Sequence, residues 1–174
     1  RVLGELKKKA DKKPEEFATF WASFGPVIKE GLYEDFENRD KILEICRFRT
    51  TENDGLSTLA DYAERMKDGQ DSIYFITGEN EESVARSPQL EGFRAKGVEV
   101  LLLSDPIDDF WVPSLFEGYE EKQFKSITRG GADLDKITDG DDDKDDADKT
   151  AKSKKKEDKK AEKADVSALI ASLK

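Results

Sequence analysis

Three aspartates fall within five residues of one another, Asp105, Asp108 and Asp109, directly after an apolar run from Val98 to Leu103. Carboxylates gathered at the carboxyl end of a strand can hold Mg²⁺ or carry out acid-base chemistry. The same residues have a plainer reading. Asp105 before Pro106 is a helix start, a capping side chain followed by a residue with fixed φ, and Asp108 and Asp109 in the first turn complement the helix dipole. Other chemistry is excluded by composition. The chain has no histidine and a single cysteine, Cys46, so a Ser-His-Asp triad or zinc site lacks its parts and an intrachain disulfide cannot form. Cys46 has no histidine nearby to activate it and is expected to be an inert core residue. The loop Thr77-Gly78-Glu79-Asn80-Glu81-Glu82 follows another apolar run, where a phosphate would sit in a nucleotide-binding fold. Its carboxylates satisfy the helix dipole and repel phosphate, and the glycines of a dinucleotide or P-loop signature are missing. Arg47 and Arg49 flank Phe48 and are expected to form ion pairs. Phe110, Trp111, Leu115 and Phe116 give the last helix more aromatic surface than one stripe needs, so one of Phe110 and Trp111 is expected to be partly exposed as a binding surface.

The elements that position these residues run from Ser72 to Phe116. Ile73-Tyr74-Phe75-Ile76 and Val98 to Leu103 read as strands covered on both faces, as in a parallel sheet between helices. Ser87-Pro88 opens a helix carrying Leu90 and Phe93 and ending at Gly97, which completes a β-α-β unit. Phe124, Ser126, Ile127 and Thr128 make a third short strand. Upstream, Pro14-Glu15-Glu16 starts a helix whose Phe17, Phe20, Trp21 and Phe24 form a single stripe that must be covered. Gly25-Pro26 is expected to kink or end it, and Gly31 to break the chain before Tyr33. Asn38 reads as the N-cap of a helix through Ile42, Leu43 and Ile45, Thr51 to Ser57 as a polar loop, and Thr58 as the start of a helix with Leu59, Tyr62 and Met66. The fold class is α/β: a helical coil followed by a small three-layer α-β-α sandwich with a short, mainly parallel sheet.

Charged residues make up 40% of the 174-residue chain and the formal net charge is −10. From Asp133 onward there are thirteen acids and eleven bases, which leaves twenty-seven acids against nineteen bases in the part with the apolar periodicity. That part is acidic, a poor match for nucleic acid or an anionic membrane. No apolar run is long enough to span a bilayer and Arg1-Val2-Leu3-Gly4 is not a signal peptide, so the cytoplasm is the expected compartment. The boundaries read as the end of an upstream helix or linker over 1–13, a helical coil over 14–68, the sandwich over 69–130, a charged flexible linker over 131–164 and the start of a further domain over 165–174. A sequence without an initiator methionine that stops inside a helical pattern is expected to be a piece of something longer.

Phe20-Trp21, Phe24-Gly25, Lys29-Glu30-Gly31-Leu32-Tyr33-Glu34-Asp35, Asn38-Arg39 and Arg47-Phe48-Arg49 resemble the helical middle section of the heat-shock protein 90 chaperones. Tyr62, Arg65-Met66-Lys67, Ile73 to Glu79, Ser87-Pro88, Leu90-Glu91, Lys96-Gly97, Glu99-Val100-Leu101 and Pro106-Ile107-Asp108-Asp109 continue the resemblance in register over roughly residues 15–130. The charged linker is most similar to that of the bacterial branch. The resemblance implies the carboxyl-terminal half of the middle domain and the connection into a dimerisation domain. It implies no catalytic, cofactor or metal residue here: ATP and Mg²⁺ belong to an amino-terminal domain, and the arginine that reaches the γ-phosphate lies upstream of Arg1. It also implies unfolded or partly folded client proteins as partners, with co-chaperones besides, homodimerisation beyond this segment, and Asp109, Phe110 and Trp111 as the client-contacting residues. Cys46 stands where the family has an aliphatic, and Pro113 interrupts a helix that normally continues. The expected function is a segment of an ATP-dependent chaperone that binds clients and couples the ATPase domain to the dimerisation domain. The alternative is a small stand-alone Mg²⁺-dependent α/β enzyme built on Asp105, Asp108 and Asp109. A third possibility is a scaffold whose charged tail docks basic partners.

Overall fold

Ile73 and Phe75 point to one face of their strand and Tyr74 and Ile76 to the other, and each pair joins a different apolar cluster. This is why the run shows no alternation of apolar and polar residues: both faces are covered. In the computed structural model, which describes residues 1–52 and 54–128 together with Leu134 and Ile137, the strand is β2 (Ser72–Thr77) at the middle of the sheet. It pairs in parallel with β3 (Leu101–Leu103), Phe75 opposite Leu101, and in parallel with β4 (Gln123–Ser126), Ile73 opposite Phe124. A two-residue strand, β1 (Arg49–Thr50), adds to β3 antiparallel and gives the order β1-β3-β2-β4. The mainly parallel sheet of the sequence reading is present, with one strand more. Arg49-Thr50 carries no strand pattern of its own. It is fixed by long-range bonds, with Thr51 N donating to Val100 O at 3.0 Å and Phe48 bridging Ser57.

One face of the sheet is covered by α1 (Val2–Lys12), α2 (Pro14–Glu34), α3 (Arg39–Ile45), α4 (Leu59–Glu64) and α7 (Asp108–Ser114). The other is covered by α5 (Glu81–Ala85), a single 3₁₀ turn at Pro88–Leu90, and α6 (Glu91–Ala95), through Val84, Leu90 and Phe93. These are the three layers of the expected sandwich. The helix expected from Ser87 to Gly97 is shorter than its pattern, a turn followed by a five-residue helix.

Helix α2 corrects two expectations. It runs for 21 residues through Gly25, Pro26 and Gly31 without ending. Proline at position 26 forfeits a bond to the Ala22 carbonyl, but the buried series Phe17, Trp21, Gly25, Lys29 and Leu32 keeps helical spacing across it, so packing outweighs the local cost. The glycines serve close approach. A Cβ on Gly25 would lie 2.9 Å from the Trp21 ring and one on Gly31 would lie 2.8 Å from Ile42 Cδ1. The aromatic stripe is also only half covered: Phe17 and Trp21 are buried, whereas Phe24 is 51% exposed and stacks on Phe20.

Asn38 precedes α3 as expected but makes no side-chain cap bond; its amide groups donate to the carboxylate of Asp35. Thr58 does cap α4, in a reciprocal box with Asp61. Tyr62 on α4 ties the sheet together, its hydroxyl donating to Glu99 O at 2.8 Å and accepting from Tyr74 N at 3.0 Å. All of this lies in one compact unit, Arg1–Gly140. The expected charged linker over 131–164 and restarted helix over 165–174 lie outside the described residues, Leu134 and Ile137 excepted.

Candidate functional site

The aspartate cluster resolves into one buried partner, Asp108, one half-buried partner, Asp105, and one exposed bystander, Asp109. After β3 the chain turns at Asp105-Pro106-Ile107 into α7. Asp105 was expected to cap this helix; instead Asp108 reaches back, its Oδ2 accepting from Asp105 N at 3.0 Å. Asp108 Oδ1 accepts from Trp111 Nε1 at 2.7 Å and from Lys29 Nζ at 2.8 Å. Lys29 Nζ also donates to Asp105 Oδ2 at 2.8 Å and lies 5.3 Å from the centre of the Phe48 ring. No lysine stands beside these acids in the chain, between Lys96 and Lys122. Lys29 sits 79 residues before Asp108, and its only local signal is a charge among the buried positions of an amphipathic helix. Lys29 is 4% exposed and Asp108 is fully buried.

Burial disfavours the Lys29 ammonium, but the two carboxylates outweigh it and raise its pKa above the ordinary lysine value. Lys29 is therefore a fixed cation at neutral pH and neither a base nor a nucleophile. Its ammonium fills the place between Asp105 and Asp108 that a metal ion would need, and Asp109 points to solvent. Burial pushes the Cys46 thiol up to about 12, which leaves it protonated and unreactive.

The same helix divides its aromatics. Trp111 has no exposed surface; it packs against Phe48 and Phe124 at 5.8 and 5.7 Å between ring centres and donates to Asp108. It belongs to the core, which removes it from the expected contact surface. Phe110, one residue and about 100° around the helix, is 59% exposed and meets Tyr33 edge-on at 6.4 Å. Tyr33, at the end of α2, is 48% exposed and Phe36 is 67% exposed. Arg39 joins the two segments, donating to Leu32 O and Ser114 O while its guanidinium covers the Phe36 ring at 4.4 Å. Tyr33 and Phe110 thus form one exposed aromatic pair from segments more than seventy residues apart, with Phe36 exposed close to Tyr33 in the chain. Sequence reading missed Tyr33 and Phe36, because each stands alone among acids with no periodic pattern.

The remaining candidates are structural. Arg49 pairs with Glu81 at 2.9 Å as expected, but Arg47 forms no ion pair among the described residues; it caps α3 by donating to Ile45 O and Cys46 O and lies over the Phe17 ring. Glu81 and Glu82 occupy the first turn of α5, where Asn80 supplies the cap. A groove of about 710 Å³ between α2 and the β1 edge has Trp21, Lys29 and Asp105 among its walls and does not include Phe110. No helix among the described residues is long and apolar enough to cross a membrane.

Comparison with known proteins agrees with this architecture. The model of the Hsp90 protein family matches residues 1–173. The chaperone protein HtpG of Paramagnetospirillum magneticum is 60% identical over 146 residues, 83% of this chain and 23% of that protein. HtpG of Roseobacter denitrificans is 60% identical over 141 residues, 81% of this chain and 22% of that protein. Among solved structures, the middle domain of a Plasmodium falciparum heat shock protein superposes with a TM-score of 0.68 at 30% identity, covering 74% of this chain and 54% of that one. The chain spans less than a quarter of the length of these curated relatives. With a sandwich that superposes on an Hsp90 middle domain and a family match along nearly its whole length, the chain belongs to the Hsp90 family.

Proposed function

We propose that this segment binds unfolded or partly folded client proteins for an ATP-driven chaperone, and that it transmits movement between an ATPase domain and a dimerisation domain outside the chain. The single observation that carries the binding role is the exposure of Phe110 against Tyr33, an aromatic surface on an otherwise polar, acidic face. Asp109 and Phe110 form its helix edge. Contacts of this size are weak, which suits a chaperone because release must follow capture. The segment itself carries no catalysis in this reading: ATP and Mg²⁺ act in the amino-terminal part of the whole protein, which is a cytoplasmic homodimer through contacts beyond this region, with co-chaperones as further partners.

Transmission has its own support. Lys29 ties α2 to the start of α7, and Arg39 ties the far end of α2 to the end of α7, so the client surface and the long helix move as one body. The reading as an Mg²⁺ enzyme finds no support at Asp105 and Asp108: both oxygens of Asp108 and Oδ2 of Asp105 are committed to Lys29 and to neighbouring donors. Replacing Phe110→Ala in the whole chaperone tests the binding role. Affinity for a reduced, unfolded polypeptide is expected to fall about tenfold, the effect of losing one well-placed aromatic anchor, while ATP hydrolysis without client stays near its starting rate. Unchanged client affinity would refute it.

A further inference from the structure

The aromatic surface has a sharply one-sided electrostatic setting. Glu30, Glu34, Glu37 and Asp40 surround Tyr33 and Phe36 in the chain, and Asp109 and Glu117 lie on and just after the helix that carries Phe110. All six are exposed, and none takes part in an ion pair among the described residues. Of the nearby cations, Lys29 is buried and paired with two carboxylates, whereas Arg39, held by Leu32 O, Ser114 O and the Phe36 ring, and Lys41, which donates to Asn38, are bonded to neutral groups and keep their charge. In the segments that carry the exposed rings, these six carboxylates outnumber the two cations Arg39 and Lys41, so the charge there is net negative.

We infer that this surface selects client segments in which apolar side chains alternate with lysine or arginine, and that it disfavours equally apolar segments bearing acids. This rests on the client-binding reading above and names the chemistry of what is bound. Two interactions act together. An apolar anchor sheds water against Phe110 and Tyr33, while flanking cations meet the carboxylates and can lie over the ring faces. Acidic segments meet like charge at short range, and so do nucleic acids. Selection of this kind is set by exposed rim charges, so it appears mainly in association rate and salt dependence and permits rapid release.

The test uses the full chain and three fluorescein-labelled peptides that share the same Phe and Leu positions, with Lys, Gln or Glu at the remaining ones, followed by fluorescence anisotropy. At about 50 mM salt the Lys peptide is expected to bind about tenfold tighter than the Gln peptide, the sum of several exposed charge contacts, and the Glu peptide weakest. At about 500 mM salt the three should converge to within about twofold. The variant Glu30→Gln/Glu34→Gln/Glu37→Gln should cut the preference for Lys over Gln to about threefold or less at low salt while still binding the Gln peptide as before. Phe110→Ala should weaken all three. Equal affinity for the Lys and Gln peptides, with both weakened by Phe110→Ala, overturns the charge selection and leaves the surface standing. A Lys peptide indifferent to Phe110→Ala overturns the surface. A preference that survives the triple variant assigns selection to the net charge of the chain and overturns the local account.

Discussion

Lys29→Met removes a buried cation and keeps most of the side-chain volume, so it isolates the electrostatic role of the Lys29–Asp105–Asp108 network. In the native protein Lys29 Nζ lies 2.8 Å from an oxygen of each aspartate, and Asp108 has no exposed surface. Without the ammonium, Asp108 remains a buried carboxylate. Removing one partner of a buried pair costs about 3–5 kcal/mol. Asp108 keeps its bonds from Trp111 Nε1 and Asp105 N, and Asp105 is partly hydrated, so the expected loss is about 3 kcal/mol, at the lower end of that range. Against a typical stability of about 5–15 kcal/mol, the variant should fold but melt roughly 10 °C lower. Urea unfolding followed by tryptophan fluorescence reads this directly, because the Trp111 indole belongs to the network. The pH dependence supplies a second readout. The native Lys29 pKa is raised above 10.5, so its contribution is fully present below that value and is lost as pH rises through the folded-state pKa. Methionine at position 29 carries no such titration, so the gap to the parent should narrow as the pH is raised through the Lys29 pKa. A loss under about 1 kcal/mol, with a gap independent of pH, would refute the argument that the triad is closed and charged.

Gly25→Ala should destabilise despite the helix preference for alanine: overpacking against the buried Trp21 ring, 2.9 Å from the new Cβ, costs about 1–3 kcal/mol against about 1 kcal/mol gained. A raised thermal midpoint would show that the ring yields freely. Cys46, buried and with its thiol pushed up to about 12, should react with Ellman's reagent at pH 8 only as fast as the domain opens, which stopped-flow absorbance in rising urea can follow. The backbone N–H of Thr58 lowers the pKa of Asp61 below the ordinary carboxylate value of 3.8, so the α4 cap stabilises above that pH and is lost as the pH falls through the folded-state pKa. Asp61→Ala should therefore cost about 1 kcal/mol at pH 7 and less at pH 2–3, measured by urea midpoints.

The sequence by itself determined what depends on neighbours along the chain. Double-sided apolarity at Ile73 to Ile76 required a strand covered on both faces, Thr58 and Asp61 specified a cap, and the absence of histidine closed off whole classes of chemistry. The placement of Asp109 and Phe110 at the start of a helix was legible for the same reason. Local rules failed where a distant partner outweighed them. Gly25, Pro26 and Gly31 signal a helix end, yet burial of Trp21 and Leu32 on either side of the proline kept α2 intact. Arg49-Thr50 became a strand only because β3 offered it an edge. Phe110 and Trp111 are equivalent as residue types side by side, and only the direction of the core relative to α7 sends one to solvent and the other inward. Lys29 shows the limit most plainly. Nothing near it in the chain explains a buried charge, because its two counterions arrive from the turn between β3 and α7, more than seventy residues further along the chain, and a charge can leave water only after the fold has delivered them.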